Sequence, residues 1–195
     1  NVLWQQWKLC LVWANASLSF PPLFKRSTSA MHVLFIAQQW EPELGVPPKR
    51  GRWMVDQLIA RGHRVTVVAP PPHYPSGKLL STRPEDQAGA VSQTPTGETV
   101  YRARFKPHSS RILSRVLDQA VVGASSVSTA RRAMSEDRPD LILATTPPLP
   151  AAFTAYATAR VRRIPFVIDL RDAWPELVPY VRTDDPETRR LRSVA

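Results

Sequence analysis

The sequence predicts an α/β fold with a doubly wound parallel sheet, and two observations support this prediction. From Met31 onward, short apolar runs rich in β-branched residues alternate with longer stretches of helical spacing, as in βαβ units. Four of the five strand candidates are almost continuously apolar, which is typical of buried parallel strands. The strand candidates are His32–Ala37, Arg64–Ala69, Thr99–Phe105, Asp140–Thr145 and Pro165–Leu170.

Three helix candidates separate these strands, at Pro48–Arg61, Arg111–Met134 and Pro150–Arg162. Gly62 is expected to cap the first helix, because glycine readily adopts the left-handed conformation that ends many helices. The second helix carries an apolar stripe that we expect to pack on the sheet. The stripe consists of Leu113, Val116, Leu117, Ala120, Val121, Ala124 and Val127.

Composition and charge restrict the class of protein. The chain has 195 residues, of which 43% are hydrophobic and 22% charged, as in soluble globular domains. A formal net charge of +10 predicts an anionic partner: nucleic acid, lipid head groups or phosphorylated substrates. The basic residues are scattered and show neither zinc-ligand spacing nor an aromatic RNA-binding pattern, so nucleic acid is disfavoured. Neither a metal nor a cofactor is predicted, and the single Cys10 cannot form an internal disulfide.

The chain divides into three parts. Residues 1–30 lack a regular pattern and are interpreted as an N-terminal extension that could be translated upstream sequence. Residues 31–182 form the predicted domain, and residues 183–195 are expected to begin a connection toward a further domain. Within the domain, Pro70 to Glu98 lacks periodicity and is rich in turn residues, which predicts a long loop.

Candidate binding residues follow the strands, because open parallel sheets bind ligands beyond the carboxyl ends of their strands. Gly45 lies just before the first helix, where backbone amides can approach a phosphate. The loop after the second strand offers the imidazole of His73, the phenol of Tyr74 and the ammonium of Lys78, although a solvated proline turn explains it equally well. Thr146 could bind an anion or a sugar hydroxyl, or simply cap the next helix.

The densest polar cluster follows the last strand. Asp169 lies in a buried strand and is expected to pair with Arg171 or a neighbouring backbone group, because an unpaired buried carboxylate is costly. Asp172, at the end of the strand, is the best catalytic candidate, since it could accept hydrogen bonds from a polyol or act as a base.

Taken together, these motifs resemble the N-terminal domain of family 4 glycosyltransferases, in the branch that makes cell-surface polysaccharides. The likeness runs in order from about Met31 to about Glu176, and its segments are Trp40-Glu41-Pro42-Glu43-Leu44-Gly45-Val46-Pro47, His73-Tyr74-Pro75-Ser76-Gly77-Lys78, Thr145-Thr146-Pro147-Pro148 and Asp169-Leu170-Arg171-Asp172-Ala173-Trp174-Pro175-Glu176.

The resemblance implies one half of a GT-B fold, in which two Rossmann-like domains face each other across a cleft. It implies retaining transfer of a sugar from a nucleotide sugar to a glycan or lipid-linked acceptor, with the N-terminal domain holding the acceptor. By this resemblance, Gly45 faces the donor diphosphate and Asp172 lines the cleft opposite the donor sugar. Arg171 departs from the family, where many members have histidine before the aspartate. The C-terminal donor domain, with its two glutamates seven residues apart, is not found, so the chain is expected to be inactive alone.

Two other interpretations remain open at the level of sequence. The chain could be a stand-alone, non-catalytic α/β module that binds a glycan, a lipid-linked precursor or another anion. It could also be a basic nucleotide- or nucleic-acid-binding protein. The glycosyltransferase interpretation predicts a cytoplasmic protein, and its positive charge fits peripheral contact with an anionic membrane at the inner face of the cell membrane.

Overall fold

The computed structural model describes residues 29–109, 111–146 and 149–170. Six strands form one sheet in the order β3-β4-β2-β1-β5-β6. All neighbouring strands are parallel except β3, which pairs antiparallel with β4 at one edge. The predicted parallel α/β sheet is therefore confirmed. The strands are β1 His32–Ile36, β2 Arg64–Ala69, β3 Val91–Gln93, β4 Thr99–Arg102, β5 Leu141–Thr146 and β6 Phe166–Leu170.

Three helices cover the two faces of this sheet: α1 Val46–Ala60, α2 Ile112–Glu136 and α3 Leu149–Arg162. Each begins and ends within two residues of its predicted bounds. Gly62 has a φ of 81° and donates its N–H to the carbonyl of Ile59, as predicted for the residue that ends α1. No helix of the described residues is long and apolar enough to cross a membrane.

Alternating side chains of the central strands supply two apolar layers. Phe35 and Val67 belong to the layer beneath α1, together with Val55 of that helix. Leu34 and Ile36 belong to the opposite layer, which α2 and α3 cover with small side chains. This is the period-two pattern of a sheet that is buried on both faces. The helical contributors to the second layer are Ala130, Ala133, Met134, Ala151, Ala155 and Ala159.

The prediction that the apolar stripe of α2 packs on the sheet is wrong. Leu113, Val116 and Leu117 are exposed, as are Ala120 and Ala124, while Val121 and Val127 are only partly buried. The buried face lies on the other side of the helix, where small residues let α3 approach. A Cβ on Gly123 would stand 3.4 Å from Cβ of Pro150 in α3. The buried face consists of Asp118, Val122, Gly123, Ser126, Ala130, Ala133 and Met134.

The long segment from Pro70 to Glu98 contains more regular structure than predicted. It includes a 3-10 turn at Pro84–Asp86 and the edge strand β3. A buried ion pair fixes this segment to the sheet, since Arg102 of β4 donates to Asp86 Oδ1 at 2.7 Å and to the carbonyl of Pro70 at 3.1 Å. The sequence could not show this tie, because it depends on a contact between segments that carry no shared pattern.

Candidate functional site

The carboxyl ends of the parallel strands gather two separate groups of polar side chains. One group, here called the Asp169 cluster, consists of Arg50, Thr145, Thr146 and Asp169 and lies at the ends of β5 and β6. The other, here called the His73 cluster, consists of His73, His108 and Asp118 and lies beyond β2 and β4. Because β1 runs between β2 and β5, the loop after β1 lies between the two groups.

In the Asp169 cluster, two hydroxyls and a guanidinium hold the last residues of β6. Arg50 of α1 donates to both oxygens of Asp169, at 2.9 Å from Nη2 and 3.2 Å from Nε. Thr145 donates to Asp169 Oδ2 at 3.2 Å, and Thr146 donates to the Asp169 carbonyl at 3.3 Å. In the described residues, Asp169 pairs with Arg50 and accepts from Thr145. The expected pairing with Arg171 falls on a residue outside the described ranges and stays a prediction. Bidentate pairing fixes the orientation of the carboxylate.

Gly45 precedes α1 with a φ of 143°, a conformation that favours glycine. No side chain caps this helix start. Pro47 and Pro48 have no N–H, and the N–H of Lys49 already donates to the Gly45 carbonyl at 3.4 Å. Only the amides of Gly45 and Val46 therefore remain to approach an anion here. The assignment of Gly45 to a diphosphate stays a prediction, with fewer amide donors than a proline-free helix start would offer.

Glu43 ties the loop after β1 to the loop after β2. Its Oε1 accepts the backbone N–H groups of His73 at 2.6 Å and Tyr74 at 2.9 Å, and the side chain is buried. Burial raises the pKa of Glu43 above its ordinary value, although these two donors offset part of the shift. The carboxylate therefore satisfies two backbone N–H groups in the loop after β2, where no neighbouring strand of the described residues accepts them.

The imidazole of His73 points inward. Its Nδ1 lies 2.7 Å from the carbonyl of Pro71, its ring stacks on Phe105 at 4.5 Å, and only 5% of the residue is exposed. Its Nε2 faces Asp118 Oδ2 of α2 at 3.6 Å. Burial lowers the pKa of His73, but Asp118 and the Pro71 carbonyl outweigh this effect, so the pKa lies above its ordinary value.

Gly77 brings a distant segment to this imidazole. It accepts the N–H of His108 at 3.0 Å and donates its own N–H to the His73 carbonyl at 2.8 Å. Its φ is 69°, and a Cβ at this position would stand 2.3 Å from the His108 carbonyl oxygen. Glycine is needed here for both reasons, and the tight contact places His108 beside His73.

The predicted site residues are thus distributed over two places. Thr146 belongs to the Asp169 cluster, and Gly45 precedes α1, the helix that carries Arg50, while His73 belongs to the other cluster. The side chain of Tyr74 is about half exposed and that of Lys78 is exposed, so neither converges on the imidazole. Asp172 and Arg171 lie outside the described residues, and their roles stay predictions.

Several residues of these clusters were not predicted from the sequence. Arg50, Glu43 and His108 carry no local pattern that marks them. Asp118 carries no such pattern either, because the sequence predicts the other face of α2 as the buried one. The structure places Asp118 on the buried face, four residues before Val122. A carboxylate at such a position requires a specific partner, and this requirement marks a candidate site.

Comparisons with known proteins identify the family and the fold. The sequence profile of a glycosyl transferase 4-like domain matches residues 47–195. Comparison with curated proteins gave no match. Among solved structures, a sucrose-phosphate synthase from Thermosynechococcus elongatus superposes with a TM-score of 0.52 and 12% identity, over 84% of this chain and 39% of that chain.

A calicheamicin glycosyltransferase superposes with a TM-score of 0.50 and 16% identity, over 85% of this chain and 41% of that one. At these identities the two structures show the fold, and this chain spans about two fifths of the length of each. A hydrogenase domain from Pyrococcus furiosus aligns with a TM-score of only 0.47 and 14% identity, over 72% of this chain and 91% of that chain. The family profile covers most of the chain and confirms the resemblance read from the motifs. The chain belongs to the glycosyl transferase 4-like domain family, as an N-terminal domain of that type.

Proposed function

We propose that this chain is the acceptor-binding half of a retaining glycosyltransferase of the hexosyltransferase type. The complete enzyme would transfer a sugar from a nucleotide sugar to a glycan or lipid-linked acceptor. This chain would need a second domain to bind the donor. The observation that carries the proposal is the Asp169 cluster, which orients a carboxylate at the carboxyl edge of the sheet, three residues before the predicted cleft residue Asp172. Carboxylates held in this way accept hydrogen bonds from sugar hydroxyls.

The chemistry assigns distinct tasks to the two halves. In a retaining transfer, the acceptor hydroxyl attacks the anomeric carbon from the side on which the nucleoside diphosphate leaves, and its proton passes to a phosphate oxygen of the leaving group. Positive charge and N–H donors stabilise that diphosphate. In this half, the amides of Gly45 and Val46 are the proposed donors, while the main cationic clamp would belong to the second domain. We therefore propose that the chain alone does not catalyse transfer.

A surface at the start of α2 supports a lipid-linked acceptor. Ile112, Leu113, Val116 and Leu117 are exposed, with exposed fractions of 44 to 71%. The basic residues Arg111 and Arg115 are exposed among them. Exposed apolar side chains next to arginines are typical of helices that lie in the interface of an anionic membrane. The net charge of +10 adds long-range attraction to such a surface.

Vesicle sedimentation tests this membrane contact. The full chain should pellet with vesicles containing phosphatidylglycerol and remain in solution with phosphatidylcholine alone, and added salt should weaken the binding. The variant Leu113→Gln/Leu117→Gln should reduce the pelleted fraction severalfold. Val161→Gln is the matched control, because Val161 is similarly exposed but lies at the far end of α3. Equal pelleting with both vesicle types would exclude the contact.

Binding and transfer assays test the function itself. Saturation-transfer NMR should detect contact with a polyprenyl-diphosphate-linked sugar in detergent micelles and little contact with UDP-hexose or GDP-hexose. Asp172→Asn should weaken acceptor binding at least fivefold, whereas Asp184→Asn, outside the predicted domain in residues 183–195, is the control. Acceptor binding that gains transferase activity when a domain carrying the paired glutamates is added supports the enzyme half. Acceptor binding without any such gain supports the alternative, a non-catalytic binding module.

A further inference from the structure

Three potential metal ligands converge beyond β2 and β4, at a place that the proposed transfer reaction does not use. His73, His108 and Asp118 each offer one ligand atom, and these atoms all lie within 4.8 Å of one another. Asp118 Oδ2 lies 3.6 Å from His73 Nε2 and 3.8 Å from His108 Nε2. Among the residues that the structure describes, this is the one such group of histidine, cysteine and acidic side chains.

The hydrogen bonds of the two imidazoles define which nitrogen atoms are available. Nδ1 of His73 lies 2.7 Å from the carbonyl of Pro71, and Nδ1 of His108 lies 3.1 Å from the carbonyl of Ser109. A carbonyl only accepts hydrogen bonds, so Nδ1 carries the proton in both rings. In the neutral rings, both Nε2 atoms then present a lone pair toward Asp118.

One oxygen of the Asp118 carboxylate, Oδ2, faces these lone pairs. Asp118 is 1% exposed, and its Oδ1 accepts the N–H of Lys106 at 2.9 Å. Its Oδ2 has no hydrogen-bond partner among the described residues. Two imidazole lone pairs and a buried carboxylate oxygen therefore point at one another, an arrangement that is unfavourable unless a cation lies between them.

We propose that His73 Nε2, His108 Nε2 and Asp118 Oδ2 bind a divalent transition metal ion, for which Zn²⁺ is the best fit. Imidazole and carboxylate ligands suit zinc, and two carbonyls that hold the distal imidazole N–H groups are the usual outer partners of zinc-bound histidines. Tetrahedral zinc places its ligand atoms about 3.3 Å apart, from bond lengths of about 2.0 Å. To reach that spacing, the distances between the three ligand atoms would have to shorten by between a few tenths of an ångström and about 1.5 Å.

The three proposed ligands come from different parts of the fold. His73 follows β2, His108 follows β4 and Asp118 belongs to α2, so the ion would join three segments at the carboxyl edge of the sheet. His108 is the most exposed of the three side chains, at 13%, and leaves one coordination position on its side for water. The sequence did not predict a metal, because the ligands at positions 73, 108 and 118 are too widely spaced to form a short zinc motif.

A proton is the competing occupant. If His73 carried a second proton on Nε2, the imidazolium would neutralise Asp118 without any metal. The two arrangements differ in stoichiometry and in spectroscopy, since only the metal site gives one bound equivalent and cobalt absorption bands. A substitution of His108 also distinguishes the metal site from the protonated His73–Asp118 pair, because only the metal site requires His108 Nε2.

The test uses the full chain without a histidine tag, in a Cys10→Ser background to remove the thiol. After dialysis against EDTA, the protein should bind one equivalent of Zn²⁺ by isothermal titration calorimetry. Co²⁺ should produce visible d–d bands at the same stoichiometry, and Zn²⁺ should raise the unfolding temperature. His108→Gln and Asp118→Asn should each weaken Zn²⁺ binding at least tenfold and remove the bands.

His63→Gln is the matched control and should keep full metal binding, because His63 lies at the opposite end of the strands and accepts the N–H of Met31. Far-UV circular dichroism verifies that His108→Gln, on the more exposed ligand, remains folded. The proposal is overturned if the parent protein binds no Zn²⁺, or if His108→Gln binds it as tightly as the parent.

Discussion

Arg50 in α1 and Asp169 at the end of β6 form a two-point ion pair, with nitrogen–oxygen distances of 2.9 and 3.2 Å. The two residues are 119 positions apart in the sequence, so the pair joins the beginning and the end of the described domain. It sets the distance between the start of α1, which follows Gly45, and the end of β6, which precedes Asp172.

A double-mutant cycle should detect this coupling. Arg50→Ala, Asp169→Ala and the double variant should give a coupling energy of about 1 kcal/mol, because the pair is bidentate and partly buried. Urea unfolding measures it. The exposed pair of Arg132 and Glu136, four residues apart in α2, is the control and should give about 0.3–0.5 kcal/mol. Additive effects of Arg50→Ala and Asp169→Ala would contradict the prediction.

The buried ion pair of Arg102 and Asp86 should matter far more. Both side chains are 5% exposed, and the guanidinium also donates to the carbonyls of Pro70 and Glu41. Arg102→Met should lower the free energy of unfolding by about 3–5 kcal/mol, because it leaves a buried carboxylate without its partner. The double variant Arg102→Met/Asp86→Leu should recover part of this loss. Arg104→Met, on an exposed neighbour, should stay within about 0.5 kcal/mol of the parent.

The stability of the domain should fall in acid through Glu98. This side chain is fully buried, and although burial raises its pKa, hydrogen bonds from Arg52 and Thr96 outweigh burial and hold the pKa below the usual 4.5. Because the folded state holds the carboxylate deprotonated, its contribution is complete above the unfolded pKa and is lost as the pH falls through the folded pKa.

Urea unfolding of the parent and of Glu98→Gln, at several pH values from about 7 to about 3, tests this sign. The parent should be the more stable protein at neutral pH, and its advantage should shrink below the unfolded value of 4.5. Glu85→Gln, at an exposed position of the 3-10 turn, serves as the comparison. A constant difference between parent and Glu98→Gln throughout the acid range would refute the assignment.

Most of the fold could be predicted because its central strands are buried on both faces. A short, almost continuously apolar run such as Val65 to Ala69 is typical of a buried parallel strand. Gly62 marks the residue at which the preceding helix ends. The face of α2 could not be predicted in this way. Its buried side includes Ser126 and Gly123, and α3 approaches closely at Gly123. Its apolar side chains at Leu113 and Leu117 remain exposed.

The candidate site was less accessible to sequence reasoning. The strand-end rule directed attention to Thr146 and His73, since strand ends are fixed by the topology, and the structure places these residues in the two polar clusters. Their binding roles stay predictions. The rule could not show that His73 turns inward toward Asp118, because that contact depends on where α2 crosses the sheet edge. Nor could it identify Arg50, since helix residues carry no mark of the strand end that they will contact.

Gly77 offers the sharpest test of the contact that builds the His73 cluster. Gly77→Ala should destabilise the domain by about 3 kcal/mol, because a left-handed alanine costs about 1–2 kcal/mol and its Cβ would stand 2.3 Å from the His108 carbonyl oxygen. Gly89→Ala is the matched control. Its φ of 85° is equally left-handed, but nothing lies within 4 Å of the added carbon, so it should cost only about 1 kcal/mol. Urea unfolding compares the two variants. Equal losses would mean that the chain moves away from Gly77 without cost, and that the position of His108 does not depend on this contact.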